Sequence, residues 1–450
     1  MTVSSLTHPP FAHELLIAQM AVQRAALVTK RVLASINAAA AATTTRITSL
    51  PPTLSPSSSD LETCASPISQ YLHPSSSSSS SYFPPNAGQQ QYISENDIDP
   101  PRRLSVAKPD ASPVTVADLA AQALLVAALR ACFPDDAVLG EEDASALRED
   151  PALAARVWEL VDEVAAAATT PLDDDSEASE DCGLLGPLPR NLAEMMALIE
   201  LGGDGAAAKE AIAAGRRVWT IDPIDGTSAY MQGGQYAISV ALLDGGREVV
   251  GVLGCPNWRY EADLPAGEWR IWENVVDEGG MGLMLSAVRG QGATVRPMGR
   301  GCALLPGRRV DRGRGKPVTL RDMHFVDSQK SPATLTEKVR ELARMGGAAY
   351  RGTNIYSSHM RYAAVVLGGR ECVQLRWPKP TKGPWSIWDH AGSQLIYTES
   401  GAGKVTDLFG KPIDFTAGSK LSNNRGLVTA DESIHGEILA MVDRMRTAEA

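Results

Sequence analysis

The stretch WTIDPIDGTSAY (residues 219–230) sets Asp222 and Asp225 on either side of Pro223 and Ile224, and Gly226, Thr227 and Ser228 follow at once. Proline fixes φ and removes a backbone donor, so the chain turns after Asp222. The turn frees the Ile224 carbonyl as a third oxygen. Carboxylate and carbonyl oxygens are what a hard cation such as Mg²⁺ takes, with phosphate and water completing its shell. A glycine followed by small hydroxyl residues opens a helix whose free N–H groups face an anion. The same residues also suit an ordinary Asp-Pro turn with a helix cap, so other parts of the chain must supply the remaining ligands.

Three further stretches carry acids. VLGEED (residues 138–143) reads as a strand that ends at Gly140 and projects Glu141 and its neighbours, or as a charged loop. SPVTVADLAAQ (residues 112–122) places Asp118 early in an apolar helix, where the helix dipole alone also favours an acid. WDHAGS (residues 388–393) places Asp389 at a helix start, as a ligand or as an N-cap. Each signal is modest, and their joint occurrence in one chain weighs more than any of them.

Composition sets the limits. A chain of 450 residues suits two or three domains, and 44% hydrophobic residues allow a sizeable core. The net charge of -11 argues against an extended nucleic-acid footprint, but not against a small anion met through bound cations. Cysteines 64, 132, 182, 255, 302 and 372 form no C-x-x-C pair, so neither a zinc knuckle nor a disulfide framework is expected. A reducing compartment follows, cytoplasmic or else nuclear. FAHELLIAQMAVQRAALVTKRVL (residues 11–33) repeats apolar residues at helical spacing but is broken by Glu14, Gln19, Gln23 and Arg24. It reads as an amphipathic helix rather than a membrane span or a signal peptide, and no membrane partner is expected.

From residue 39 to about 101 the chain is Ala/Thr-rich and then Ser/Pro-rich, which predicts a disordered insertion. Residues 169–181 read as an acidic surface loop. Residues 299–317 look like a phosphate cradle, but Val310 and Pro317 break the required spacing, so they read as a loop. Residues 114–133 read as a helix. YAISVALLDG and EVVGVLGCPN read as strands joined by a turn at 244–247. MRYAAVVLGG reads as a helix, ECVQLRW as a strand and WDHAGSQLIYTESG as a helix closed by glycine. Mixed elements with a strand-rich middle predict a layered α/β and α+β architecture.

GEE, DPIDGT and WDHA, in that order, resemble the inositol monophosphatase superfamily of Mg²⁺-dependent, lithium-sensitive phosphatases. The flanking SPVT-x-x-D-x-A-A-Q and GCPN resemble its branch acting on bisphosphorylated nucleotides. The likeness runs over most of the chain outside the insertion and the two loops. It implies a layered α-β-α-β-α sandwich: a first helix in residues 1–38, the insertion at 39–102, an N-terminal α+β domain at 103–320 and a C-terminal α/β domain at 321–450. It also implies two to three Mg²⁺ ions. One would sit on Glu141, Asp222 and the Ile224 carbonyl, and one on Asp222, Asp225 and Asp389. A third would share Glu141, water and phosphate. Asp118 and Thr227 would activate the attacking water, and the N–H groups of Gly226, Thr227 and Ser228 would hold the phosphate. Lys330, Ser358, Arg361 and Arg376 fall where the branch contacts its nucleotide. The implied substrate is a small anionic nucleotide, adenosine 3',5'-bisphosphate or 3'-phosphoadenylyl sulfate, losing its 3'-phosphate. Alternatives are an inositol phosphate or another small phosphomonoester, and an inactive regulatory homologue. The chain departs from the family pattern at WD-x-AAG, here WDHAGS, at Lys330 in place of a histidine and at Arg361 in place of a lysine.

Overall fold

A computed structural model describes residues 9–48, 105–107, 113–169, 183–203, 205–265, 267–312, 317–329, 331, 333–350, 352–401 and 403–448. Its first element, α1 (Ala12–Thr48), buries the stripe Ile17, Ala18, Ala21, Val22, Ala25, Val28 and Val32. The helix runs past residue 38, where the composition changes, so the backbone stays helical into the Ala/Thr-rich start of the insertion. The rest of the insertion, from residue 49, and the acidic stretch from residue 170 lie outside the described residues.

The strand pair β1 (Ser105–Ala107) and β2 (Pro113–Thr115) leads directly into α2 (Val116–Cys132). Then follow β3 (Ala137–Gly140), α3 (Ser145–Glu149), α4 (Pro151–Thr169), α5 (Leu192–Gly203) and α6 (Gly205–Ala213). The strand β4 (Val218–Asp225) ends at a single helical turn, α7 (Thr227–Tyr230). β5 (Ala237–Asp244) and β6 (Arg247–Cys255) form the expected hairpin, turned by Gly245 and Gly246 at φ of 57° and 73°. A two-residue turn with both φ positive matches the twist of its strands. β7 (Leu283–Val288), β8 (Gly292–Pro297) and β9 (Arg308–Val310) complete a seven-stranded sheet in the order β3-β4-β5-β6-β7-β8-β9. Only β3 and β4 run parallel in it. β9 corrects the reading of residues 299–317 as loop: three residues of the basic stretch pair with β8 as an edge strand.

The second sheet has the order β11-β10-β12-β14-β13. It is built from β10 (His324–Asp327), β11 (Thr353–Asn354), β12 (Cys372–Arg376), β13 (Gly403–Thr406) and β14 (Leu427–Asp431). The helices between and after these strands are α8 (Thr336–Gly346), α9 (Ser358–Gly368), α10 (Ala391–Glu399) and α11 (Glu432–Thr447).

Side-chain alternation sorts the core into three shells. Trp219, Ile221, Ile238 and Val240 face α1, α2, α4 and α5. Val218, Ala241, Leu253 and Leu285 face the opposite way, onto α9 and α10, which also meet Val326, Cys372 and Leu427. Phe325, Val373, Leu375 and Val428 face α8 and α11. The order is therefore helix, sheet, helix, sheet, helix, the α-β-α-β-α sandwich. Both sheets fall in one compact unit, and residues 39–103 fall outside it.

Two details concern the sequence expectations. Cys132, Cys255 and Cys372 are free thiols, but Cys302 is disulfide-bonded, which the expectation of no disulfide framework and a reducing compartment did not foresee. Cysteine spacing carried no hint of this bond. Among the described residues no helix is long and apolar enough to cross a membrane.

Candidate active site

The strand β4 is buried along its whole length, so both of its aspartates start from a disfavoured position. Asp222 pairs with Ser239 and Asp225 with Ala237, and the register shifts between them. That irregularity is Pro223-Ile224, and such bulges re-aim side chains beside active sites. Gly226 follows at φ 93°, and a Cβ there would lie 2.8 Å from the Cβ of Ser357. The chain thus enters α7 against the start of α9, and no residue but glycine fits. The first N–H groups of α7 lack helical acceptors, as at any helix start.

β3 runs parallel to β4 with Gly140 opposite Ile221, so Glu141 emerges beside Asp222. Gln122 of α2 fixes this exit: its Oε1 accepts from Glu142 N at 3.0 Å and its Nε2 donates to Glu142 O at 2.5 Å. The same helix carries Asp118. Thr115 is its N-cap, and Asp118 Oδ2 accepts from Thr115 N at 2.9 Å and from Thr115 Oγ1 at 2.5 Å, a capping box. Thr227 Oγ1 lies 3.4 Å from Asp118 Oδ1 and 3.1 Å from the Ile224 carbonyl oxygen. Asp118 therefore caps its helix and also faces Thr227.

Asp389 arrives from the other side, just before α10. The N-cap of that helix is His390, so Asp389 does not cap it. One carboxylate oxygen from each of Asp222, Asp225 and Asp389 lies within 4.8 Å of the other two. Asp225 Oδ2 accepts from Ser357 Oγ at 2.5 Å and from His359 N at 2.5 Å. Among the described residues, both oxygens of Asp222 are buried without a hydrogen-bond donor. Glu141 could bond to them only by sharing a proton. Burial pushes the Asp222 carboxyl well above its usual range, and Glu141, Asp225 and Asp389 push it further. Burial, then Asp225 and Glu141, raise Asp389 to about 7, against the pull of Arg376 and Lys420. Carboxylates so arranged are suited to cations and to little else.

A second group is positive. Arg361 is buried in α9, with Nη1 donating to Ile355 O at 3.1 Å and Tyr356 O at 2.8 Å, and Nη2 to Ser358 Oγ at 3.3 Å. Burial first, and then the charge of Arg376, lower it to about 10. Arg376, at the end of β12, lies 4.3 Å from the ring centre of Trp385 and 3.3 Å from His390 Nε2 through Nη1. His390 Nδ1 lies 3.2 Å from Tyr362 Oη. Burial holds His390 well below its usual value, so it stays neutral and accepts from Arg376. Neither arginine forms an ion pair among the described residues. Lys330 lies outside the described residues.

The sequence did not point to Ser357, His359, Trp385, His390 or Glu273. Glu273 accepts from Gln235 N at 3.2 Å and Tyr356 N at 2.7 Å, which braces the backbone just ahead of Ser357. Only Ser357 left a readable trace, a serine standing before an apolar helix as its N-cap.

The profile of the Inositol monophosphatase family matches residues 188–446. A 3'(2'),5'-bisphosphate nucleotidase of Emericella nidulans is 33% identical over 347 residues, covering 76% of this chain and 90% of that protein. One of Schizosaccharomyces pombe is 34% identical over 335 residues, covering 74% and 85%. A solved IMPase of Thermotoga maritima aligns with a TM-score of 0.42 at 17% identity, covering 75% of this chain and 86% of that one. The acid cluster, its setting in the sandwich and the family match together define a phosphatase. The chain belongs to the inositol monophosphatase family.

Proposed function

We propose that this protein removes the 3'-phosphate of adenosine 3',5'-bisphosphate, and of 3'-phosphoadenylyl sulfate, with Mg²⁺ held at the acid cluster. The observation that carries the substrate is the pair Arg361 and Arg376. Both are buried near the carboxylates, and neither has an anionic partner among the described residues. A bisphosphate brings a second dianion that the catalytic cations do not neutralise. An inositol monophosphate brings none. The names of the relatives from Emericella nidulans and Schizosaccharomyces pombe point the same way.

The donor set fits a hard cation. Asp222, Asp225 and Asp389 would hold one ion, Glu141, Asp222 and the Ile224 carbonyl a second, and Glu141 with water and phosphate a third. Both nearby histidines have their ring nitrogens engaged: His359 by Ser393 and the Trp388 carbonyl, His390 by Tyr362 and Arg376. An all-oxygen set favours Mg²⁺ over zinc. When bound, such ions offset the charge of the phosphate and acidify a coordinated water. The chain's own residues do the rest. Thr115 locks one oxygen of Asp118, which leaves the other facing Thr227. The Thr227 hydroxyl can give its proton to Asp118 and accept one from the attacking water. Gly226, Thr227 and Ser228 offer backbone N–H groups to the phosphate oxygens. No covalent intermediate is needed, so no nucleophilic serine or cysteine is assigned.

The test is phosphate release with Mg²⁺ from adenosine 3',5'-bisphosphate, 3'-phosphoadenylyl sulfate, adenosine 3'-phosphate and inositol 1-phosphate, with and without Li⁺. The first two should be preferred, and Li⁺ should inhibit. Preference for inositol 1-phosphate would replace the substrate assignment. Full turnover in excess chelator would remove the metal.

A further inference from the structure

We propose that His359 is a positioning residue: it ties the Asp225 carboxylate to the turn that presents Asp389, and Ser393 fixes the orientation of its ring. The inference rests on the reading that the acid cluster holds Mg²⁺.

His359 is the second residue of α9 and is fully buried. Its backbone N–H donates to Asp225 Oδ2 at 2.5 Å. Its ring Nε2 lies 2.8 Å from the carbonyl oxygen of Trp388, the residue before Asp389. That carbonyl can only accept, so Nε2 carries the proton. Nδ1 is then an acceptor, and Ser393 Oγ lies 2.7 Å away to fill it. The same hydroxyl is 3.4 Å from His390 O, a weaker competitor for its single proton. Asp225 lies on the seven-stranded sheet, and Asp389 lies on the turn into α10. Ser357 Oγ also bonds Asp225 and accepts from Met360 N within α9, whereas His359 joins the two ligand segments, through its backbone N–H to Asp225 and through its ring to the Trp388 carbonyl.

The departure of WDHAGS from WD-x-AAG has a physical account here. Gly392 lies against β5, where a Cβ would come 3.1 Å from Ser239 Oγ and 3.3 Å from Val240 O. Ser393, in place of the pattern's glycine, supplies the hydroxyl that His359 accepts. The serine and the histidine therefore act as a pair. A ligand's outer partner fixes its direction, and losing one typically weakens metal affinity about 10- to 100-fold.

The experiment is calorimetric titration of the metal-free full chain with MgCl₂, without substrate, on wild type, His359→Ala, His359→Gln and Ser393→Ala, with circular dichroism to check the fold. His359→Ala should bind Mg²⁺ about tenfold more weakly or worse. His359→Gln should stay near wild type, because its amide can donate to Trp388 O and accept from Ser393. Ser393→Ala should fall between them. A folded His359→Ala with wild-type affinity would overturn the assignment. If His359→Ala does not fold, Ser393→Ala with wild-type affinity, or His359→Gln no better than Ser393→Ala, would overturn it instead. A purely structural histidine would lower the melting temperature of all three variants and leave the Mg²⁺ affinities equal. Failure of the wild type itself to bind Mg²⁺ would overturn the metal reading, and the role of His359 with it.

Discussion

Among the residues of the cluster, Asp389 has a charge that can be followed by titration. Folding raises its carboxyl from the ordinary range to about 7, chiefly by burial and then by Asp225 and Glu141. The ionised form is therefore penalised only in the folded protein. Without metal, the penalty is absent at low pH, grows as pH rises toward 7, and is complete above it. Metal-free Asp389→Asn should thus melt above wild type at about pH 8, with the difference closing toward about pH 4. The same variant should lose on the order of a hundredfold in turnover with Mg²⁺, because the proposed metal site would be short of one charge. Equal melting temperatures at about pH 8 would show that Asp389 is not strained by its neighbours. Arg376→Ala should raise KM for adenosine 3',5'-bisphosphate far more than for adenosine 3'-phosphate, by roughly 2–5 kcal/mol for a buried charged contact. Equal effects on both substrates would detach Arg376 from the second phosphate. At this scale the acids were legible through their joint occurrence, because Asp222 and Asp225 beside Pro223 and Gly226 also suit an ordinary turn, while the four acidic stretches in this order are much less expected by accident. Ser357 and His359 were not, since they reach Asp225 across 132 and 134 residues of chain.

Elements were legible in proportion to their length and regularity. The helix α2 and the hairpin of β5 and β6 announce themselves by apolar period and by Gly245-Gly246. The strand β11 is two residues long and β9 three, too short to show a period, and each is held by its neighbour's ladder. The helix α1 runs on to Thr48, past the composition change at residue 38, because an alanine-rich run has helix propensity whatever its burial. The joint from β4 to α7 is the place where one methyl group should matter most. Gly226→Ala would put a Cβ at positive φ and 2.8 Å from that of Ser357. It should cost about 1–3 kcal/mol in stability and more than that in activity, since the shift falls on the turn proposed to hold the phosphate and on the hydroxyl that bonds Asp225. A variant with wild-type melting temperature and turnover would mean that α9 moves freely there.

For the molecule as a whole, the order of layers followed from the family resemblance more than from patterning. A buried strand and a buried helix share an unbroken apolar run, so neither sheet order nor the middle helical layer can be counted from hydropathy. Among the described residues, the buried stripe of α1 reaches no further than Leu33. Deleting residues 40–100 and closing the gap with a short flexible linker should leave the melting temperature and turnover nearly unchanged. A large fall in either would make the insertion part of the working protein. The spread of the clustered acids along the chain, from Glu141 to Asp389, has its own consequence during synthesis. The ribosome completes the seven-stranded sheet by Val310, while the segment that closes the site is still unmade. Until then Asp222 and Asp225 lack their third partner. The mutual repulsion of the cluster is met only when the last layers dock, so bringing the acids together is the final step in the birth of the molecule.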